Sequence, residues 1–160
     1  MSSIFDRRYE TMSRSELEQL QLERMQALLV RLKRNVRRHR EKLGDRRVES
    51  LADLARLPFL TPEDLVDSFP YGLFAFPLRE VIRLHSTVGP AGKPLVIGHT
   101  RNDLAQWGRL VARQLVASGV TANDVIQVSL GTGIYSGVTG YVRGAELVEA
   151  SVIDAPGRDS

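Results

Sequence analysis

A chain of 160 residues with 42% hydrophobic content can bury one sizeable core, and a second full domain beside it would be crowded. Its 22 Lys+Arg against 19 Asp+Glu leave a net charge of only +3, so total charge alone does not point to nucleic acid. The absence of cysteine excludes disulfides, thiolate metal sites and cysteine nucleophiles. The three histidines, His39, His85 and His99, lie far apart in sequence without metal-ligand spacing, which argues against zinc.

The opening "MSSIFDRRYE" lacks the apolar stretch of a signal peptide, and no apolar run approaches the roughly 18–20 residues that span a bilayer; the expectation is a cytoplasmic protein without a membrane segment. Residues 1–50 hold 13 Lys+Arg and 8 Asp+Glu, whereas residues 51–160 hold 9 and 11. This shift places a boundary near Ser50, with a basic amphipathic helical extension over 1–49 and an α/β domain over 50–160.

Ser13-Arg14-Ser15-Glu16 is a capping box, and Leu17, Leu20, Met25, Leu28, Leu32 and Val36 follow as an apolar stripe. The pattern predicts one long helix from Ser13, stopping at Gly44. Its second half, "RLKRNVRRHREKLGDRR", carries more cations than a helix dipole calls for; a solvated face and a polyanion-binding face are the two readings. Aromatic residues to stack on bases are missing from it.

Two short helices are predicted next, one capped by Ser50 and stopping before Pro58, the other with Thr61 as cap, Pro62 in the first position and Glu63 and Asp64 in the first turn. "YGLFAFPL" has no helical period and reads as a loop that covers core. From Glu80 β-rich runs take over. "VIRLHSTV" and "PLVIGHT" flank a glycine-rich connection, Thr100 caps a helix through about Ser118, and Leu104, Trp107, Leu110, Val111, Gln114 and Leu115 lie on or near one face of it. Gly119 ends that helix, "DVIQVSL" is a strand, "GTGIYSGVTGYVRGAELVEA" is a glycine-rich loop entering a helix, and "SVIDAP" is a last strand. Alternation of this kind predicts βαβ crossovers, a partial, mainly parallel sheet flanked by helices, and an open sheet edge that needs covering.

The ordered series of segments resembles the N-terminal part of phenylacetate–coenzyme A ligases and their relatives among the adenylate-forming, AMP-binding enzymes. "YETMSRSELEQLQLERMQALL" is similar to the family's opening helix. "SLADLARLPFLTPEDLVDSFPYGLFAFPLREVIRLHSTVGPAGKP" is similar to its linker and phosphate loop, and "GYVRGAELVEASVID" to the helix and strand beyond. The resemblance implies a truncated adenylate-forming N-domain. It also implies an activity in which ATP and magnesium activate a carboxylic acid as its adenylate before transfer to coenzyme A. Where relatives carry a sequence like SSGTTGKP, this chain has Thr87, Val88, Gly89, Pro90, Ala91, Gly92, Lys93 and Pro94. The resemblance therefore assigns Thr87, Gly89, Gly92 and Lys93 to a degenerate phosphate loop, and Gly131, Gly133 and Tyr135 to a loop on the acyl-substrate side, where Thr132 replaces a frequent aromatic. Val88 and Ala91 bring no hydroxyl and Pro90 no backbone N–H. Each charge-assisted bond to phosphate lost in this way costs about 1.5–3 kcal/mol. ATP binding is accordingly expected to be weak or absent, and no metal site and no catalytic residue is expected in the chain.

Beside this stand plainer readings. Gly89 and Gly92 suit a tight hairpin turn and Lys93 an exposed turn position. His85 and His99 belong near the hairpin's two ends, without a carboxylate partner. Ser136 sits in no nucleophile elbow, and Asp124 reads as a turn residue. Three functional readings follow: a ligase-like N-terminal module inactive by itself, in effect a pseudoenzyme; a non-catalytic interaction protein that forms homo-oligomers or completes a partner ligase; and a polyanion or nucleic-acid binder using the arginine-rich helix.

Overall fold

The computed structural model describes residues 4–88, 92, 94–129 and 137–154. The chain divides into two compact units, a helical one from Met12–Val81 and Thr87–Val96, and an α/β one from Met1–Thr11, Ile82–Ser86 and Ile97–Ser160.

In the helical unit, Ser13 and Glu16 close their capping box in both directions, the Ser13 N–H donating to Glu16 Oε2 at 2.9 Å and the Glu16 N–H to Ser13 Oγ at 3.3 Å. The single helix predicted beyond it is broken. Helix α2 (Arg14–Asn35) stops and α3 (Arg37–Leu43) restarts across Val36, whose backbone is extended at φ −119° and ψ 109° and whose side chain is completely buried. Burial of that valine competes with helical continuity, and Arg40 stabilises the break. Its Nε donates to the Lys33 carbonyl at 2.7 Å and its Nη2 to that of Arg34 at 2.8 Å, satisfying acceptors that the end of α2 leaves open. Gly44, at φ 51°, ends α3 as predicted. Leu29, Leu43 and Val48 form a small core with Leu22, Met25 and Leu57 against it.

The turn Leu51–Arg56 is a 3-10 helix capped by Ser50 and Asp53, and α4 (Pro62–Asp67) is capped by Thr61. Asp64 of α4 is buried and receives the Lys42 ammonium, the Arg38 guanidinium at 2.8 Å and the Thr61 N–H at 2.8 Å. The Lys42 and Thr61 bonds hold its carboxyl far below the usual carboxylate range. In "YGLFAFPL" only part of the expected covering role is realised: Leu73, Phe74 and Phe76 are half-buried, whereas Tyr71 and Leu78 face solvent.

The α/β unit rests on the packing of α5 (Arg101–Ala117) against α6 (Gly137–Leu147). Thr100 and Asp103 form the predicted cap of α5, and Gly119 follows it at φ 94°. Leu104, Gly108, Val111 and Ala112 are the buried face, so the apolar stripe is rotated from the expected one; Leu110 is 58% exposed and Gln114 faces solvent. Rotation follows from the partner. Glycines set the helix spacing, since a Cβ on Gly144 would lie 2.6 Å from Val111 Cγ1 and one on Gly140 2.3 Å from Trp107 Nε1.

Strand β3 (Val125–Val128) and β4 (Ser151–Asp154) pair in parallel through α6, with Val125 opposite Ser151 and Val128 opposite Asp154. This is the predicted βαβ crossover. Asp124 is the expected turn residue, accepting the Thr121 N–H at 2.7 Å. Strand β1 (Val81–Val88) pairs with β2 (Pro94–Thr100) in a separate two-stranded ladder. A five-residue connection is too short for a parallel crossover, so this pair is a hairpin. The architecture is α/β with small sheets, the strands forming one parallel pair and one hairpin among the described residues. At the beginning of the chain, the short helix α1 (Arg7–Glu10) is tied to α5 by Asp6–Arg109 and Glu10–Arg113 ion pairs, both at 3.5 Å.

Candidate functional site

The glycine-rich connection lies between the two strands of the hairpin. Thr87 is exposed near the end of β1. Gly92 is exposed at φ 75°, the left-handed region that glycine occupies without strain, with open space where a Cβ would stand. Of the remaining residues assigned to the loop, Gly89 and Lys93 lie outside the described residues, as do Pro90 and Ala91. Gly131, Gly133 and Tyr135, assigned to the substrate-side loop, also lie outside them, with Ser136. Helix α6 begins directly after that stretch, at Gly137.

What the structure adds is a column of rings in the α/β unit, on the strands that lead into and out of the connection. His85 of β1 is 7% exposed, and its ring meets His99 of β2 edge-on, the centroids 5.3 Å apart and the planes at 76°. His99 in turn stacks on Trp107 of α5 at 5.5 Å and 29°, and the Trp107 indole lies against Gly140 of α6. The two histidines, expected near the hairpin's two ends, face each other across its strands. A signal for this existed, because both lie seven residues from Gly92, and a hairpin turning there sets them opposite.

Nε2 of each histidine is sealed from water and has no hydrogen-bond partner among the described residues. Burial, reinforced by His99 and Arg83, holds the His85 imidazole below its ordinary pKa; burial does the same for His99, with Asp103 opposing and Arg83 assisting. The column offers two imidazoles and one indole, with no carboxylate in hydrogen-bonding contact with either imidazole among the described residues. No group of three or more metal-ligating side chains occurs among the described residues, and no helix among them is long and apolar enough to cross a membrane.

The arginine-rich segment is largely occupied with its own unit. Arg31 lies over the Phe76 ring at 4.8 Å, Lys33 donates to the Arg46 carbonyl at 2.5 Å, Arg37 pairs with Glu41 at 2.7 Å, and Arg38 reaches Asp67 at 2.9 Å. Of these, Arg38 joins α3 to α4, whereas the Arg37–Glu41 pair lies within α3 on its exposed face.

No family model matches the chain. Over 153 residues, 92% of its length, it is 40% identical to phenylacetate-coenzyme A ligase of Pseudomonas putida, and 39% identical to that of Escherichia coli K12. The chain spans 35% of each of these relatives, about a third of their length. Among solved structures it is similar to 2-hydroxyisobutyryl-CoA ligase in complex with 2-HIB-AMP and CoA in the thioesterification state. There the TM-score is 0.88 at 26% identity, covering 99% of this chain and 36% of the other. An open conformation of the same ligase, also with 2-HIB-AMP and CoA, matches with a TM-score of 0.87, covering 39% of that chain. The chain is therefore phenylacetate–CoA ligase-like, and its fold is a fragment of an adenylate-forming ligase fold.

Proposed function

On the premise of that likeness, we propose that the chain supplies the phosphate-loop portion of an AMP-forming acid–thiol ligase and does not catalyse adenylation by itself. The observation that carries the reading is the position of "TVGPAGKP" between paired strands β1 and β2, within a segment that matches acyl-CoA ligases along nearly its whole length. Thr87, Gly89, Gly92 and Lys93 are the residues that face ATP phosphates in this reading, with magnesium accompanying the nucleotide. Gly131, Gly133 and Tyr135 lie on the acyl side. Three of the family's four loop hydroxyls are replaced, and Pro90 removes a backbone donor, so the loop binds phosphate feebly.

Calorimetric titration of the chain with magnesium and ATP is expected to give dissociation constants of about millimolar or weaker. Acid- and coenzyme A-dependent pyrophosphate release from ATP should be undetectable. Turnover by the chain alone would refute the inactive-module reading, and micromolar binding would show that the loop backbone compensates for its missing hydroxyls.

A second reading is favoured by β3 and β4. A parallel pair ordinarily has both faces and its edges covered, yet Val125 is 63% and Ile153 51% exposed. A second copy of the chain or a partner ligase covering this pair would make it an interaction module. Elution from a sizing column at the monomer volume, in low and high salt alike, would count against the second-copy form.

A further inference from the structure

We propose that His85, His99 and Trp107 form an acid-sensitive latch that holds the base of the β1–β2 hairpin on α5, closed with neutral imidazoles and released by protonation. The latch needs nothing from the ligase reading, since it stands on side chains within the α/β unit. Its geometry leaves little room for charge. His85 is enclosed, its Nε2 has no acceptor among the described residues, and the nearest ring is another imidazole at 5.3 Å.

The charged groups facing the column are few. On β1, Arg83 opposes protonation of both rings. On α5, Asp103 favours a proton on His99, but its Oδ2 is already engaged by the Thr100 N–H at 2.8 Å and the Thr100 hydroxyl at 2.7 Å. Helix α6 presents Gly140 to the indole, with no charge. Stacking on Trp107 makes His99 the better site for a first proton, because an imidazolium over an indole face is attracted by it. A second proton on His85 would then sit beside that cation with neither water nor an acceptor at Nε2. Protonation of the closed column is thus disfavoured, most of all for the second proton, whereas the released histidines take both.

The sign follows from the depressed pKa of both rings. Stability from neutral packing is fully present above the ordinary imidazole value of about 6.5 and is lost as pH falls below it. Each proton that the closed state excludes lowers the closed-to-released ratio about tenfold per pH unit.

Trp107 is the sole tryptophan, so its emission reads this column directly. In the full chain without nucleotide, taking the pH from 8 to 5 should produce a cooperative change in Trp107 emission with a midpoint below 6.5, and the urea midpoint should fall in step. His85→Phe and His99→Phe keep a ring in the column and remove its titration, so the double variant should lose most of this dependence. His39→Phe, in the other unit, should leave the emission change in place. Emission that titrates at 6.5 without any loss of urea resistance would overturn the proposal, as would a double variant that keeps the full dependence. Should the variants fail to fold, the imidazole proton resonances of the wild-type chain decide: the latch requires two below the ordinary value, and two unshifted titrations would sink it. Because no ATP is present, this outcome is independent of whether the loop binds phosphate.

Discussion

The two units solve the same problem, holding helices together, by different means. In the helical unit the hydrophobic cluster holds only three buried residues among those described, Leu29, Leu43 and Val48, and polar ties carry the geometry: Arg40 closes the end of α2, while Arg38 and Lys42 meet on buried Asp64. In the α/β unit the helices approach so closely that glycine is required at Gly140 and Gly144, and apolar contact does most of the holding. Charge ties tolerate a broken helix; glycine notches do not tolerate a side chain. The difference teaches that arginines in a charged segment can hold local structure, as Arg38 and Arg40 do here.

This contrast can be tested in order of expected effect. Leu104→Ala, at the buried centre of the α5 face, should cost about 3–5 kcal/mol in urea unfolding, and Leu29→Ala in the thinner core about 2 kcal/mol. Equal costs would break the contrast. Gly144→Val should cost about 2–3 kcal/mol in the same urea unfolding by forcing α5 and α6 apart. Acid should act on the units in sequence. Below about pH 6.5 the α/β unit loses stability through His85 and His99, while the helical unit has only His39, whose pKa burial also lowers. Asp64 has a depressed pKa, so its contribution is present above its unfolded value near 3.8 and is lost as pH falls further; hydrogen exchange followed by unit should separate the two phases. Smallest is Ser13→Ala, about 1 kcal/mol at the start of α2, read as a lower helix signal by circular dichroism.

Local chemistry was legible wherever it decided local structure. Ser13, Thr61 and Thr100 cap the helices they were expected to cap, Gly44 and Gly119 stop them, and the β3–α6–β4 order yields the parallel pair. The likeness to CoA ligases was legible too, through the order of segments rather than any single motif. The break at Val36 was not, because the apolar stripe reaches that valine in helical spacing and only its tertiary burial separates α2 from α3. Nor was the rotation of α5, which depends on where α6 offers glycine. His85 and His99 could have been paired by their symmetry about Gly92, but their stacking on Trp107 depends on the placement of α5. Of the proposed loop residues, Thr87 and Gly92 are placed, and Gly89 and Lys93 lie outside the described residues.

The ties between Asp6 and Arg109 and between Glu10 and Arg113 set a clock on biosynthesis. Each joins residues 103 positions apart. At a synthesis rate of about 5–20 residues per second, α1 leaves the ribosome roughly 5–20 seconds before its place on α5 exists. The helical unit's segment 12–81 is made in that interval, so α1 docks on α5 only after that segment has been synthesised.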